Sequence, residues 1–232
     1  MGHWIPPRDW EGQTAFIIGG GPSLARFDFT KLIGRNTIGC NDAFQLGPEI
    51  VRYCLFGDAS FFHKHRDKLM ASKVEQITCA PALLHFQLIK IHKMNRVRDG
   101  IHDKDTLGWN YSTGAAAVNL AFSMGAKRIF LLGFDMGKQP DGKSHWHNNP
   151  RKVIKEESYT RFIRGFHTLA QSISRFPDVK VFNVTDGSSR LPVFDRLSFT
   201  EFDGQLSTKT RNTGHEVQAG QPSVASKPGG KA

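Results

Sequence analysis

The sequence predicts an α/β domain built on a doubly wound, mainly parallel sheet with helices on both faces. Short apolar runs recur along the chain, each stopping at a glycine or polar turn, and helical stretches separate several of them. The first run, Phe16-Ile-Ile, ends in Gly19-Gly20-Gly21 and is followed by Pro22, the signature of a strand that turns sharply into a helix. With 232 residues, 39% of them apolar and 11% aromatic, the chain has material for one well-filled core.

The elements follow in order. Residues 1–13 read as an arm whose Trp4 and Trp10 pack onto the domain, and 14–19 as the first strand. Backbone N–H groups of the glycine turn then converge at the helix that Pro22 opens, a site suited to phosphate. Residues 36–40 form a second strand ending at Asn41-Asp42, and 51–56 a third closed by Gly57-Asp58. A helix follows over 59–71, then a fourth strand over 75–79 stopped by Pro81. Residues 83–110 interleave basic and histidine residues with Leu88, Ile89, Ile91 and Val97. They read equally as an edge strand with its loop or as a lid. Ser112 or Thr113 caps a helix of small residues that Gly125 ends, and 127–135 is a buried central strand carrying Asp135 at its carboxyl end. Tyr159, Phe162, Ile163, Phe166 and Leu169 recur near helical spacing within a long helix over 152–176, and 179–184 is the last strand. One domain is expected over 1–204. Beyond it the composition turns to Gly, Ser, Thr, Gln, Pro and Lys, so 205–232 is expected to be a disordered basic tail.

Charge and cysteine usage narrow the function classes. The net charge is +10, of which the tail supplies +3 (four basic side chains against Glu216). Such a surface concentrates anions (nucleotides, nucleic acid, acidic glycans) or serves solubility alone. Cys40, Cys54 and Cys79 are odd in number and lack metal-ligand spacing, which suits buried reduced thiols in a cytoplasmic protein. No apolar run approaches the ~20 residues of a membrane span, and residues 1–7 lack the pattern of a secretory leader.

In a doubly wound sheet, ligands bind beyond the carboxyl ends of the strands, and there the unusual polar and glycine residues collect. They are Gly19, Gly20, Gly21 and Ser23, then Asn41, Asp42 and Asp58, then Ser112, Thr113, Gly114 and Asp135, then the stretch from Asn183 through Ser188 to Ser189. Glycine turns offer N–H donors to phosphate, and amides and hydroxyls offer partners to a base or ribose. Asp58 and Asp135 suit Mg²⁺ on a diphosphate, or the capping of a neighbouring helix.

Four motifs in this order, Ile-Gly-Gly-Gly-Pro-Ser-Leu, Gly-Cys-Asn-Asp, Ser-Thr-Gly-Ala-Ala-Ala-Val-Asn-Leu-Ala and Ile-Phe-Leu-Leu-Gly-Phe-Asp-Met, resemble a Rossmann-like group. It holds the bacterial sialyltransferases of glycosyltransferase family 42 and the 6-hydroxymethylpterin diphosphokinase-like proteins, with further members in bacteria and phages. The resemblance covers about residues 14–195. It implies that Gly19, Gly20, Gly21 and Ser23 hold the donor nucleotide, with Gly20 standing where sialyltransferases use asparagine. It further implies nucleotide contacts from Asn41, Thr113, Gly114, Asn183 and Ser188. The chain departs from the family at the catalytic base, where a histidine is replaced by Tyr159.

Upstream of Tyr159, the segment Lys143-Ser-His-Trp-His-Asn-Asn-Pro150 has its own reading. His145 or His147 can act as general base or substrate contact while Trp146 stacks on a sugar or base. The segment also fits a packed surface loop, or with less support a metal site of unknown completion. Three functions therefore compete. The first is a glycosyltransferase that uses a nucleotide-sugar donor and an anionic glycan or modified DNA base as acceptor. The second is a Mg²⁺-dependent diphosphokinase using a nucleoside triphosphate on a small alcohol. The third is a non-catalytic nucleotide- or nucleic-acid-binding protein.

Overall fold

The computed structural model describes residues 3–88, 90–138, 142–147, 154–187 and 189–210. These residues form ten strands and four α-helices: β1 (Thr14–Ile18), β2 (Thr37–Cys40), β3 (Tyr53–Phe56), α1 (Ala59–Ala71), β4 (Glu75–Thr78), β5 (Ile91–Lys93), β6 (Asn95–Val97), β7 (Thr106–Gly108), α2 (Thr113–Ser123), β8 (Arg128–Leu132), α3 (Glu156–Ile173), β9 (Lys180–Val184), β10 (Asp195–Leu197) and α4 (Phe199–Thr210). Eight strands form one sheet in the order β10-β9-β8-β1-β2-β3-β4-β5, with every pair parallel. β6 and β7 form a separate parallel pair. This is the α/β, doubly wound architecture expected from the sequence.

Alternation along the strands sorts two cores onto the two faces of the sheet. Ala15 and Ile17 of β1 face one core, with the alanines of α2 and with Phe166, Leu169 and Ile173 of α3. Phe16 and Ile18 face the other, with Phe61, Phe62 and Leu69 of α1 and Phe202 of α4. Many of the phenylalanines are used on this second face, where Phe16 stacks on Phe130 at 5.6 Å and Phe130 on Phe182 at 5.3 Å. Phe202 meets both Phe16 and Phe130 edge-on, which fixes α4 on the sheet.

Three sequence expectations are corrected. Pro22 opens only a five-residue 3-10 turn, Pro22–Arg26, so no α-helix N-terminus stands behind the glycine loop. Its aligned dipoles are too few to make an anion site. β10 and α4 were not anticipated, and α4 runs across the expected boundary at 204. Gln205 accepts a hydrogen bond from Arg128, so the ordered fold extends beyond that boundary. The segment 83–110 supplies an edge strand, β5, but it also sends the β6–β7 pair toward the cleft described next. Residues 211–232, the bulk of the expected tail, lie outside the described residues. Among the described residues no helix is long and apolar enough to cross a membrane.

Candidate active site

From β1 the chain winds outward through β2, β3, β4 and β5, then returns to place β8 on the other side of β1. The connections after β1 and β8 therefore diverge, and a crevice opens beyond their carboxyl ends. A cleft of about 470 Å³ occupies that place, within the range of small-molecule sites. Gly19, Gly20, Gly21, Asn41, Asp58, Thr113, Gly114, Asp135, His145, His147 and Tyr159 all line it. Ser23 and Asn183 do not, and Ser188 lies outside the described residues.

The glycine loop differs in use from what its sequence suggests. Gly19 N–H donates to Leu132 O and Gly21 N–H to Gly133 O, both at 2.8 Å, while Ser23 N–H donates to Asp135 Oδ2 at 2.8 Å. These amides knit β1 to the turn after β8, so they are not available to a phosphate. The glycines are required by close approach. A Cβ on Gly21 would stand 2.5 Å from Gly133 O and within 2.4 Å of an Asp135 oxygen, and one on Gly19 would stand 2.7 Å from Gly133 O. Asp135 is buried and also accepts from the Thr185 hydroxyl at 3.4 Å. It braces the loop. Asn183 is likewise a brace. Its amide donates to Ser189 Oγ at 2.8 Å, and Ser189 Oγ donates to Phe134 O at 2.9 Å.

The helix N-terminus at the cleft belongs to α2. Ser112 caps it, its Oγ accepting from Ala115 N–H at 3.1 Å, which leaves the first-turn amides of Thr113 and Gly114 without intrahelical partners. Gly114 admits the Phe134 ring, since a Cβ there would meet Phe134 Cε1 at 2.3 Å. An eleven-residue helix therefore presents its positive end where the glycine loop was expected to act.

The histidine segment is strapped over the glycine loop. Trp146 donates from its indole N–H to Gly19 O at 2.9 Å and from its backbone N–H to Gly20 O at 3.1 Å, with its ring 5.1 Å from Phe29. Trp146 thus anchors the segment, where the sequence suggested a stacking platform. His145 lies against Gly20, where a Cβ would come 3.1 Å from its ring carbon. Its Nδ1 pairs with Ser144 Oγ at 2.9 Å, and burial together with neighbouring His147 pushes its pKa down to about 4. His147 is lowered by burial and by His65. Beneath them Asp42, 1% exposed, places one oxygen 3.7 Å from His147 Nε2 and the other 3.7 Å from His65 Nε2. Both cleft imidazoles are therefore neutral at pH 7.

Tyr159 faces the cleft from α3. It is buried, its hydroxyl has no hydrogen-bond partner among the described residues, and burial, then Glu156 and Asp135, raise its pKa. Asn41 is held at φ 55 with its Oδ1 buried and unpartnered among the described residues. Such groups remain unsatisfied only at a cost, and a ligand is the natural partner. Asp58 lines the cleft with an exposed side chain that makes no cap bond to α1. Among the described residues no group of three or more His, Cys, Asp and Glu side chains gathers to hold a metal.

The sequence reading placed Asp42 beside Asn41 at the end of the second strand without giving it a role, counted Arg96 only among the basic residues of 83–110, and missed Trp109 and Tyr111; all four line the cleft. Asn41-Asp42 was visible as a polar pair after a strand, but the convergence of two distant histidines on Asp42 is a tertiary fact. Arg96 and Trp109 lay in a segment with no clear periodicity.

No family model and no curated protein matches the chain. Solved structures do. The sialyltransferase CstII from Campylobacter jejuni in complex with CMP-3FNeuAc, a substrate analogue, aligns with TM-score 0.48 at 14% identity over 79% of this chain and 85% of that one. The same enzyme with cytidine-5'-monophosphate gives 0.49 at 14% over 85% and 86%. The alpha-2,3-sialyltransferase from Campylobacter jejuni in apo form gives 0.43 at 14% over 79% of each chain. At this identity the likeness is one of fold.

Proposed function

We propose that this chain is a glycosyltransferase that takes a nucleotide-sugar donor. The observation that carries the reading is the meeting, in one cleft at the switch point of the sheet, of the α2 N-terminus with a neutral, anchored imidazole, His145. The leaving nucleotide phosphate gains negative charge as the glycosidic bond breaks, and the Thr113 and Gly114 amides with the helix dipole stabilise it. Tyr159, protonated at neutral pH, donates its hydroxyl hydrogen to the same phosphate. His145 accepts the proton from an acceptor hydroxyl as that oxygen attacks the anomeric carbon. His147 packs behind it on Asp42. Asn41 Oδ1 receives a donor from the base or ribose. Gly19, Gly20 and Gly21 form the floor.

Diphosphate transfer would need a carboxylate pair to hold Mg²⁺. Asp135 is committed to Ser23 and Thr185, which leaves Asp58 without Asp135 as a partner for such a pair. The geometry favours glycosyl transfer for that reason.

A thermal-shift screen of CMP, UDP, GDP, ADP, GTP and ATP, each with and without Mg²⁺, tests the choice. A native-state ligand at ~100 Kd stabilises by about 2.7 kcal/mol, a readable shift. Stabilisation by a nucleoside mono- or diphosphate without metal is expected. Stabilisation by Mg²⁺-triphosphates alone would sink the glycosyltransferase reading.

A further inference from the structure

On the β3 side of the cleft, three residues make a corner that the proposed mechanism does not use. Arg96, on β6, lies with its guanidinium carbon 4.6 Å from the centroid of the Trp109 indole and donates from Nη1 to Gly57 O at 3.0 Å. The indole in turn fills the space above Gly57, where a Cβ would sit 2.0 Å from ring atom Cζ3. Arg96 and Trp109 both line the cleft. Gly57 follows β3, two strands from β1, so the corner stands about 10 Å from the glycine loop at ordinary strand spacing.

The corner is rigid. Trp109 precedes two consecutive residues of positive φ, Asn110 at 44 and Tyr111 at 63. That strained turn is held by the Asn110 side chain, which accepts from Gly100 N–H at 2.9 Å and donates to Gly100 O at 2.7 Å and Gly108 O at 3.2 Å. α3 presses on it from behind, since a Cβ at Gly165 would come 1.9 Å from Asn110 O. Strain that is over-determined in this way is a mark of a prepared binding surface.

The guanidinium is under-used. It carries five N–H donors, of which one makes a hydrogen bond among the described residues, and no carboxylate among them lies within ion-pair distance, Asp58 on the same cleft included. A partly buried, pre-oriented planar fork without a paired carboxylate matches a carboxylate or phosphate. We infer that Arg96, held by Trp109 and Gly57, binds an anionic group carried by the part of the substrate that lies beyond the nucleotide. The inference rests on the transferase reading for its orientation in the cleft and adds the chemical class of the second substrate portion.

The test uses the full chain and saturation-transfer NMR with glucose, glucuronate and glucose 6-phosphate, each with and without saturating CMP. Wild type should bind one of the two anionic sugars at least ~10-fold more tightly than glucose, and the better of the two identifies a carboxylate or a phosphate. Arg96→Gln should abolish that preference, and Arg96→Lys should restore it only in part, because an ammonium lacks the fork. CMP affinity should stay unchanged in both variants. An equal preference in wild type and Arg96→Gln would overturn the assignment, as would a wild type that does not favour either anion. A uniform loss of all ligands, CMP included, would overturn it too, showing that Arg96 merely supports the fold. If wild type shows the anion preference but no mono- or diphosphate of the thermal-shift screen stabilises it, the transferase reading fails while the corner stands.

Discussion

Burial acts on His145 and Tyr159 in opposite directions, and the two shifts divide their roles. It penalises the charged form, so the imidazole is held neutral and the phenol is held protonated. A histidine near its ordinary pKa, as the sequence alone implies, would give kcat/KM an acid limb near ~6.5. With His145 at about 4, that limb is expected near pH 4, and a limb at 6.5 that disappears in His145→Gln would show that the buried geometry is wrong. Stability follows with a definite sign. The folded pKa lies below the unfolded one, so the unfolded chain binds the extra proton, and the contribution is intact above ~6.5 and lost as pH falls toward 4. Urea midpoints of wild type should therefore drop more steeply over that window than those of His145→Gln. Trp146→Phe removes the indole bond to Gly19 O, and NMR titration should then find the His145 pKa moved up toward its ordinary value. The glycines were legible as special in the sequence but not for the right reason. Gly19 and Gly21 admit a neighbouring backbone, and the amides they free are spent on it. Gly57, which drew notice only as a strand terminator, is the seat of Trp109. Gly57→Ala should cost ~1–3 kcal/mol by urea denaturation, because a stiff indole must move, and should also blunt the anion preference.

At the scale of elements, periodicity and caps located most of what exists. Small residues and the Ser112 cap marked α2, the apolar run marked β8, and helical spacing marked α3. Where the pattern gave out, the reason is physical. Segment 83–110 places short strands beside an arm. Trp4 stacks on His92 at 4.4 Å and donates its N–H to Lys93 O, so apolar and basic residues there answer to partners far along the chain. The Pro22 turn ends after five residues, where Phe27 turns extended at ψ 133 and packs into the core of the second face. In the proposed function the phosphate is therefore met by α2, whose N-terminus is capped by Ser112. Ser112→Ala should lower stability by ~1 kcal/mol and should weaken nucleotide binding by calorimetry. A loss of stability with unchanged affinity would separate the helix end from the ligand.

At the scale of the whole molecule, the winding of the sheet decides where the cleft opens and also where the last helix must lie. β8, β9 and β10 extend the sheet past β1, and the last crossing leaves α4 to cover Phe16, Phe130 and Phe182 on the second face. The sequence located the turn to a polar, glycine-rich composition near 205 but gave no sign that a helix crosses it, because α4 has a weak apolar stripe and its binding is specified by an aromatic cluster assembled from three strands. Phe202 is fully buried, Lys31 pairs with Asp203 at 2.7 Å, and Arg128 reaches Gln205. Leu206 packs against the same core. A tail beginning at 205 would be removable without effect, since it would bury almost nothing. The structure instead requires that a chain ending at residue 204 melt several degrees below one ending at 210. It loses the last turn and a half of α4, the Arg128 bond and the Leu206 contact, together worth ~1–3 kcal/mol, or roughly 2–4 °C for each kcal/mol at this size. The chain ending at 210 keeps every one of these contacts and is the proper control. Coincident melting curves for the two would mean that Phe199, Phe202 and the Lys31–Asp203 pair hold α4 and that its final six residues add nothing to the fold.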